Sequence, residues 1–163
     1  MPLAPADGRR RARRFDSPQQ EAFLSIWRTY DRLRAQEDEL FGRHDLTAQQ
    51  YNALRLLRAA HPGKLPTLAL GGRLVSRAPD ITRLLDRLAE RGLVERERPA
   101  GNRRTVHVGI TAAGIALLDD IANEVRACHE RQLGHLSQNE LRTLVDLLRK
   151  ARTPHEPEDS AWR

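Results

Sequence analysis

The sequence predicts a mainly α-helical fold with one small antiparallel β-ribbon, and three observations carry that expectation. Apolar residues recur at three- and four-residue spacing through most of the chain, as on helices that bury one stripe. Three stretches, Ser17-Pro18-Gln19-Gln20, Thr47-Ala48-Gln49-Gln50 and Ser137-Gln138-Asn139-Glu140, have the form of capping boxes, in which a hydroxyl and a later Gln or Glu satisfy two orphan N–H groups reciprocally. Between Leu93 and Ile110, by contrast, apolar residues alternate with others, the period of half-buried strands.

Residues 1–16 contain the run Arg9-Arg10-Arg11-Ala12-Arg13-Arg14 and almost nothing to bury, so they are expected to form a disordered basic arm. Two readings of the arm stand: a solvated tail, or a contact to phosphates or a minor groove that adds nonspecific affinity. The ordered domain is expected over residues 17–152. Its first helix, within 17–43, carries Phe23, Ile26, Trp27, Tyr30, Leu33, Leu40 and Phe41 on one stripe. That is more apolar surface than a short neighbour needs, so pairing with another long helix, from this chain or a second copy, is expected. The second capping box opens a helix with Ala53, Leu54 and Leu57 inward and Tyr51 and Leu56 at the edges, ended by His61-Pro62-Gly63-Lys64. Thr67 is then expected to cap a short helix, weakened by Gly71 and Gly72 at about 1 kcal/mol each relative to Ala.

Ser76 to Thr111 is the stretch around which the rest is organised. Ile81, Leu84, Leu85 and Leu88 fall at i, i+3, i+4 and i+7, one buried helical stripe. Pro79 at the first helical position and Gly92 past the last set its bounds. With the short helix before it and the turn at Val75 to Ala78, it forms a helix-turn-helix. Leu93 and Val94, and later Val106, Val108 and Ile110, mark two strands joined by the turn Pro99-Ala100-Gly101-Asn102, with Arg103 and Arg104 near the tip. Thr111 caps a long helix along Ile115, Leu118, Ile121, Ala122 and Val125 towards Leu133, and the third capping box opens a last helix with Leu141, Leu144, Val145 and Leu148. Residues 153–163 are expected to be a frayed tail.

With its stripe buried, the helix after Pro79 turns Asp80, Thr82, Arg83, Asp86 and Arg87 away from the core. Recognition helices contact bases mainly through their N-terminal residues, which selects Arg77, Asp80, Thr82 and Arg83 for a major groove. Arg grips guanine in a bidentate manner and Asp accepts from a cytosine amino group. A solvated charged face would look the same taken alone; the ribbon beside it favours DNA. Arg103 and Arg104 suit a minor groove, whereas Arg96 and Arg98 suit phosphates or pairing with Glu95 and Glu97.

The totals agree. A chain of 163 residues fits one domain, and 28 Lys and Arg against 22 Asp and Glu, with a pI of about 10.6, suit a polyanionic partner. No run approaches the roughly 18 apolar residues of a membrane span, and no apolar block follows the N-terminal arginines. A single cysteine, Cys128, excludes an intrachain disulfide. A soluble, cytoplasmic protein without membrane contact is expected. Aromatics at 4% count against base-stacking modes of single-strand binding.

Enzyme chemistry finds little to work with: there is no Gly-rich phosphate loop, no serine elbow and no HExxH helix. Of six histidines only His129 and His135, with Glu130, are close enough in sequence to suggest a metal cluster, and on a helix those two lie about 240° apart. No metal and no cofactor are expected. Cys128 is read as a small packing residue, with a redox sensor as the alternative. Trp27 and Tyr30 carry two readings: the lining of a small-molecule cavity, or the core of a helix–helix interface.

At this point the sequence resembles the MarR family of winged helix-turn-helix regulators. The resemblance runs from about Ser17 to Lys150 and is most specific over Asp80-Ile81-Thr82-Arg83-Leu84-Leu85-Asp86-Arg87-Leu88 and Arg91-Gly92-Leu93-Val94, where the family shows a T-R-L-x-D-x-L helix followed by R-G-L-[VI]. Asn102-Arg103-Arg104 matches the family's D-R-R wing, with Asn in place of Asp, and Ile110-Thr111-Ala112-Ala113-Gly114 its L-T-x-x-G start of the fifth helix. Leu70-Gly71-Gly72-Arg73-Leu74 stands where the family shows L-A-x-x-L. The resemblance implies an obligate homodimer whose first and last helices (17–43 and 112–152) interlace around the winged helix-turn-helix (47–111). It also implies binding to a pseudo-palindromic operator on double-stranded DNA, and repression released when a small, often anionic aromatic ligand binds between the dimerisation helices and the DNA-binding lobe. Peroxide- and zinc-sensing patterns of the family are not matched. Of the urate-type pattern Trp27 is present, while Asn52 stands where relatives are often acidic.

The expectation is therefore a sequence-specific dimeric DNA-binding transcription regulator, using Arg77, Asp80, Thr82, Arg83, Arg87, Arg103 and Arg104, with Trp27 and Tyr30 as candidate ligand residues. The main alternative is a sequence-tolerant architectural DNA-binding protein driven by the Arg-rich arm; a small-molecule-binding or enzymatic dimer is a third, more distant reading.

Overall fold

The computed structural model describes residues 15–76, 80–101 and 104–163. Among these residues six helices and three short strands follow in the order α1 (Pro18–Gly42), α2 (Ala48–Ala60), β1 (Leu65–Pro66), α3 (Thr67–Arg73), α4 (Ile81–Glu90), β2 (Val94–Glu97), β3 (His107–Ile110), α5 (Ala112–Leu133) and α6 (Gln138–Arg152). A single 3-10 turn, Thr153–His155, follows α6. The chain divides at Ala35 into two compact units, the first holding the N-terminal turns of α1 and the second everything from Gln36 onward.

All three helix starts marked by capping boxes are where the sequence puts them. At Thr47 and Ser137 the box is complete, hydroxyl to the third residue's N–H and Gln50 or Glu140 back to the cap N–H. At α1 the Ser17 hydroxyl accepts from Gln20 N–H (3.1 Å), but Gln20 reaches one residue further back, accepting from Asp16 N–H at 2.8 Å. The difference leaves the helix start unchanged.

In the second unit the core is a continuous, mainly aliphatic cluster. Ala53, Leu54 and Leu57 of α2 meet Leu70 of α3, Leu85 and Leu88 of α4, Val108 of β3 and Ile121 of α5, all essentially buried. Each of these Leu, Val and Ile side chains stabilises the folded state by about 1.5–3 kcal/mol through removal from water.

Three sequence expectations need correction. The ribbon is not two-stranded: Leu65–Pro66 adds an edge strand, giving the antiparallel order β1-β3-β2 with Leu65 opposite Val108 and Pro66 opposite His107. Proline is tolerated there because an edge position does not need its missing N–H. Thr67 does not cap α3; it is the first helical residue, and both its N–H (3.0 Å) and its hydroxyl (3.1 Å) donate to the Val106 carbonyl. The C-terminal segment is not frayed: Trp162 returns to α3, its indole N–H donating to the Arg73 carbonyl at 3.3 Å.

Candidate nucleic-acid interface

The proposed reading helix, α4, is preceded by its N-cap, Asp80. Its carboxylate accepts from the Arg83 N–H at 2.8 Å, so this residue caps the helix from within the chain, and the first helical residue is Ile81. Pro79, expected at that first position, lies outside the described residues, as does Arg77. Leu84, Leu85 and Leu88 are buried and Ile81 partly so, which turns Thr82, Arg83 and Arg87 to solvent. Among the described residues no hydrogen bond or ion pair engages the side chain of Arg83 or Arg87, and both guanidinium groups are available to an outside partner.

The far end of α4 explains the Arg91-Gly92-Leu93-Val94 sequence. Leu93 N–H donates to Leu88 O (3.0 Å) and Gly92 N–H to Ala89 O (2.9 Å), a Schellman closure that places Gly92 at φ +68°. Only a residue without Cβ adopts that conformation at no steric cost. Arg91 leaves the helix to donate to the Asp45 and His44 carbonyls (2.6 and 3.2 Å), fastening α4 to the loop between α1 and α2. Leu93 and Val94 enter the core.

Two braces fix the wing. Arg96 of β2 pairs with Asp86 of α4 at 2.6 Å and donates to the Thr82 carbonyl at 3.1 Å. Arg96 therefore joins β2 to α4, where the sequence suggested pairing with Glu95 or Glu97. Those two carboxylates instead take Lys64, at 2.9 and 2.6 Å. The Lys64 stem crosses the strand over Gly109, where a Cβ would lie 3.0 Å from Lys64 Cγ. The ammonium beside it holds the Glu97 carboxyl below the usual range, and the two carboxylates hold the Lys64 ammonium above its own.

At the wing tip Gly101 takes φ +94°, supplying the turn. Asn102 and Arg103 lie outside the described residues; Arg104 is exposed at the returning edge. Together with Thr82 and Arg96 it borders a cavity of about 210 Å³ floored by Leu85 and Val106, between α4, the start of α3 and the wing. Of the residues singled out in the sequence, the structure thus brings Thr82 and Arg104 to one concavity and sets Arg83 and Arg87 on the adjoining exposed face. Asp86 and Arg96, not included as binding residues, prove to connect the two parts. Their opposite charges at α4 and β2 were a visible signal, but their proximity depends on the strand register.

The turn ahead of α4 is held from α2. Asn52 Oδ1 accepts from the Val75 N–H at 3.0 Å, and Gln49 donates to the Ser76 hydroxyl at 3.1 Å. Trp27 and Tyr30 sit on an exposed stripe of α1, 62% and 55% accessible, with Phe23 tilted against Trp27 and Arg34 over the Tyr30 ring. Cys128 is buried, and that burial pushes its thiol pKa up. Among the described residues no group of His, Cys, Asp and Glu is arranged to hold a metal. No helix of these residues is long and apolar enough to cross a membrane.

The MarR family model matches residues 46–106, the span from just before α2 to just before β3. A MarR transcription factor from Planctomyces limnophilus is 57% identical, with a TM-score of 0.67 over 83% of this chain and 98% of its own. The chain belongs to the MarR family. The transcriptional regulator FarR of Neisseria gonorrhoeae is 30% identical over 125 residues, 77% of this chain and 84% of FarR. A point mutant of MarR from E. coli, solved in complex with operator DNA, is 27% identical with a TM-score of 0.72, covering 80% of this chain and 93% of its own. As a MarR regulator the chain has the winged helix expected from its sequence, enlarged by the edge strand β1.

Proposed function

We propose that this MarR regulator is a homodimeric, sequence-specific DNA-binding protein, a repressor released from its operator by a small anionic or aromatic ligand. The observation that carries the DNA reading is the braced pair of α4 and wing. Among the described residues Arg83 and Arg87 have no side-chain partner, they stand on a helix held at both ends, and Arg96 fixes the wing to that same helix. The operator complex of the E. coli relative supports the same use of the fold. Arg83 and Thr82 are assigned to base edges, together with Arg77; Arg87, Arg103 and Arg104 are assigned to phosphates or a second groove. Asp80 keeps a place beside the bases with its cap already made.

Pairing of two copies is supported by apolar surface that one chain leaves in water. Phe23, Ile26, Trp27 and Tyr30 on α1, and separately Val145, Leu147 and Leu148 on α6, are exposed by 38–63%. Such stripes mark association sites. Their exposure favours Trp27 and Tyr30 as interface residues over the lining of a preformed cavity. For the effector, the better place is an open cleft of about 440 Å³ between α2 and α5, lined by Tyr51, Arg55, Arg58 and Leu118. Arg58 is paired with Asp119 at 2.7 Å, whereas Arg55 has no ion-pair partner among the described residues, so an anion would find an available cation beside an aromatic ring.

Fluorescence anisotropy tests the proposal. The duplex enriched by the protein from a randomised pool should bind at least about a thousandfold tighter than random duplex at moderate salt. Equal affinity for the two duplexes would leave only a sequence-tolerant binder.

A further inference from the structure

α3 is the weakest helix of the reading head by every local measure. It has seven residues, it contains Gly71 and Gly72, and its N-cap, Pro66, offers no side-chain cap. A helix this short does not persist in water without outside support. Neither glycine is needed for packing, since a Cβ at either would meet nothing within 4 Å. Its stability therefore rests on Leu70 and Leu74 in the core and on hydrogen bonds from elsewhere: Val106 at its start, Asn52 and Gln49 just past its end, and Trp162 on the Arg73 carbonyl.

The last of these comes from a segment outside the span matched to the family, and that segment is well knit. Arg152, the final residue of α6, donates from Nε to the Trp162 carbonyl at 2.9 Å and lies 5.8 Å from the indole centroid. Ser160 donates to Glu156 at 2.7 Å and accepts from the Trp162 N–H at 3.1 Å. The indole is thus aimed by a folded turn. Its target, the Arg73 carbonyl, is one of the four that the end of a helix leaves without an intrahelical donor.

We infer that residues 153–163 form a strap linking the end of α6 to the helix-turn-helix, with Trp162 as a positioning residue that holds α3, and through the Val75–Ser76 turn aims α4. The strap makes the orientation of the reading helix depend on α6, the helix whose apolar face is available for pairing. This inference rests on the DNA-reading role proposed above.

Two variants test it. Trp162→Phe keeps a ring beside Arg152 and removes the N–H; Trp162→Ala removes both. Hydrogen exchange and anisotropy are measured on the full chain, with the duplex enriched by the unmodified protein and with random duplex. Loss of one such hydrogen bond corresponds to a factor of roughly five. The expected result is exchange about fivefold faster at the amides of residues 70–76 in both variants, with α2 and α5 unchanged. Preference for the enriched duplex over random should fall by a similar factor, more in Trp162→Ala than in Trp162→Phe. Unchanged exchange in α3 overturns the strap, even if affinity falls, because the tail would then be touching DNA directly. Faster exchange with unchanged preference also overturns it, by removing the aiming role. If the unmodified chain enriches no duplex, it is the DNA-reading role that fails, and the exchange result still decides whether Trp162 holds α3.

Discussion

Gly114 and Gly72 are the same residue type under opposite constraints. A Cβ on Gly114 would lie 2.3 Å from the Leu93 carbonyl and 2.7 Å from Ile110, at the junction where Thr111 both caps α5 and donates to the Gly92 carbonyl at 2.7 Å. Gly114→Ala is expected to destabilise by about 1–3 kcal/mol through overpacking. Gly72→Ala, in open space on a helix, is expected to stabilise by up to about 1 kcal/mol. Urea titration of the two variants checks the pair, and a shift of the same sign in both would contradict the packing described. Lys64 yields a pH prediction. The Glu97 carboxyl is lowered by Lys64, so its contribution is present above its ordinary pKa and lost as pH falls through the lowered value. The Lys64 ammonium is raised by Glu97 and Glu95, so its contribution is present below its ordinary pKa and lost as pH rises through the raised one. Lys64→Met should therefore flatten the stability profile at both its acid and alkaline ends, as thermal unfolding against pH would show.

The elements legible in the sequence were those whose signal is local. Capping boxes and stripes located α1, α2, α4, α5 and α6 because a helix start and a buried face are written in neighbouring residues. β1 was not legible: a two-residue strand has no period, and Leu65-Pro66 becomes a strand only by lying beside Val108 and His107. In the sequence Asp80 stands out by its charge and facing, while its use as a cap follows from the helix starting after it. Likewise Arg96 finds Asp86 and Lys64 finds Glu95 and Glu97 through strand register. Of the site, the exposed arginines of α4 were legible and their braces were not. Cutting one brace tests this scale: Arg96→Ala, which leaves Asp86 without its partner, should speed hydrogen exchange in β2 and weaken DNA binding on all sequences alike. A loss confined to particular bases would make Arg96 a reader instead of a brace.

For the whole molecule, the proposed function assigns association to the exposed apolar stripes of α1 and α6 and recognition to α4 and the wing. Replacing Leu147, 60% exposed, with Glu should shift the protein towards monomer in analytical ultracentrifugation while circular dichroism stays helical, because no core contact is lost. An unchanged dimer, or a monomer in the unmodified protein, would remove α6 from the interface. The base-reading role of α4 decides the proposed function. It is tested most directly by Arg83→Ala against the enriched duplex and each of its single-base variants. The expected result is a loss concentrated at one or two base positions, about 1–3 kcal/mol of discrimination there, with the other positions keeping their order. A uniform loss across all the duplexes would contradict it.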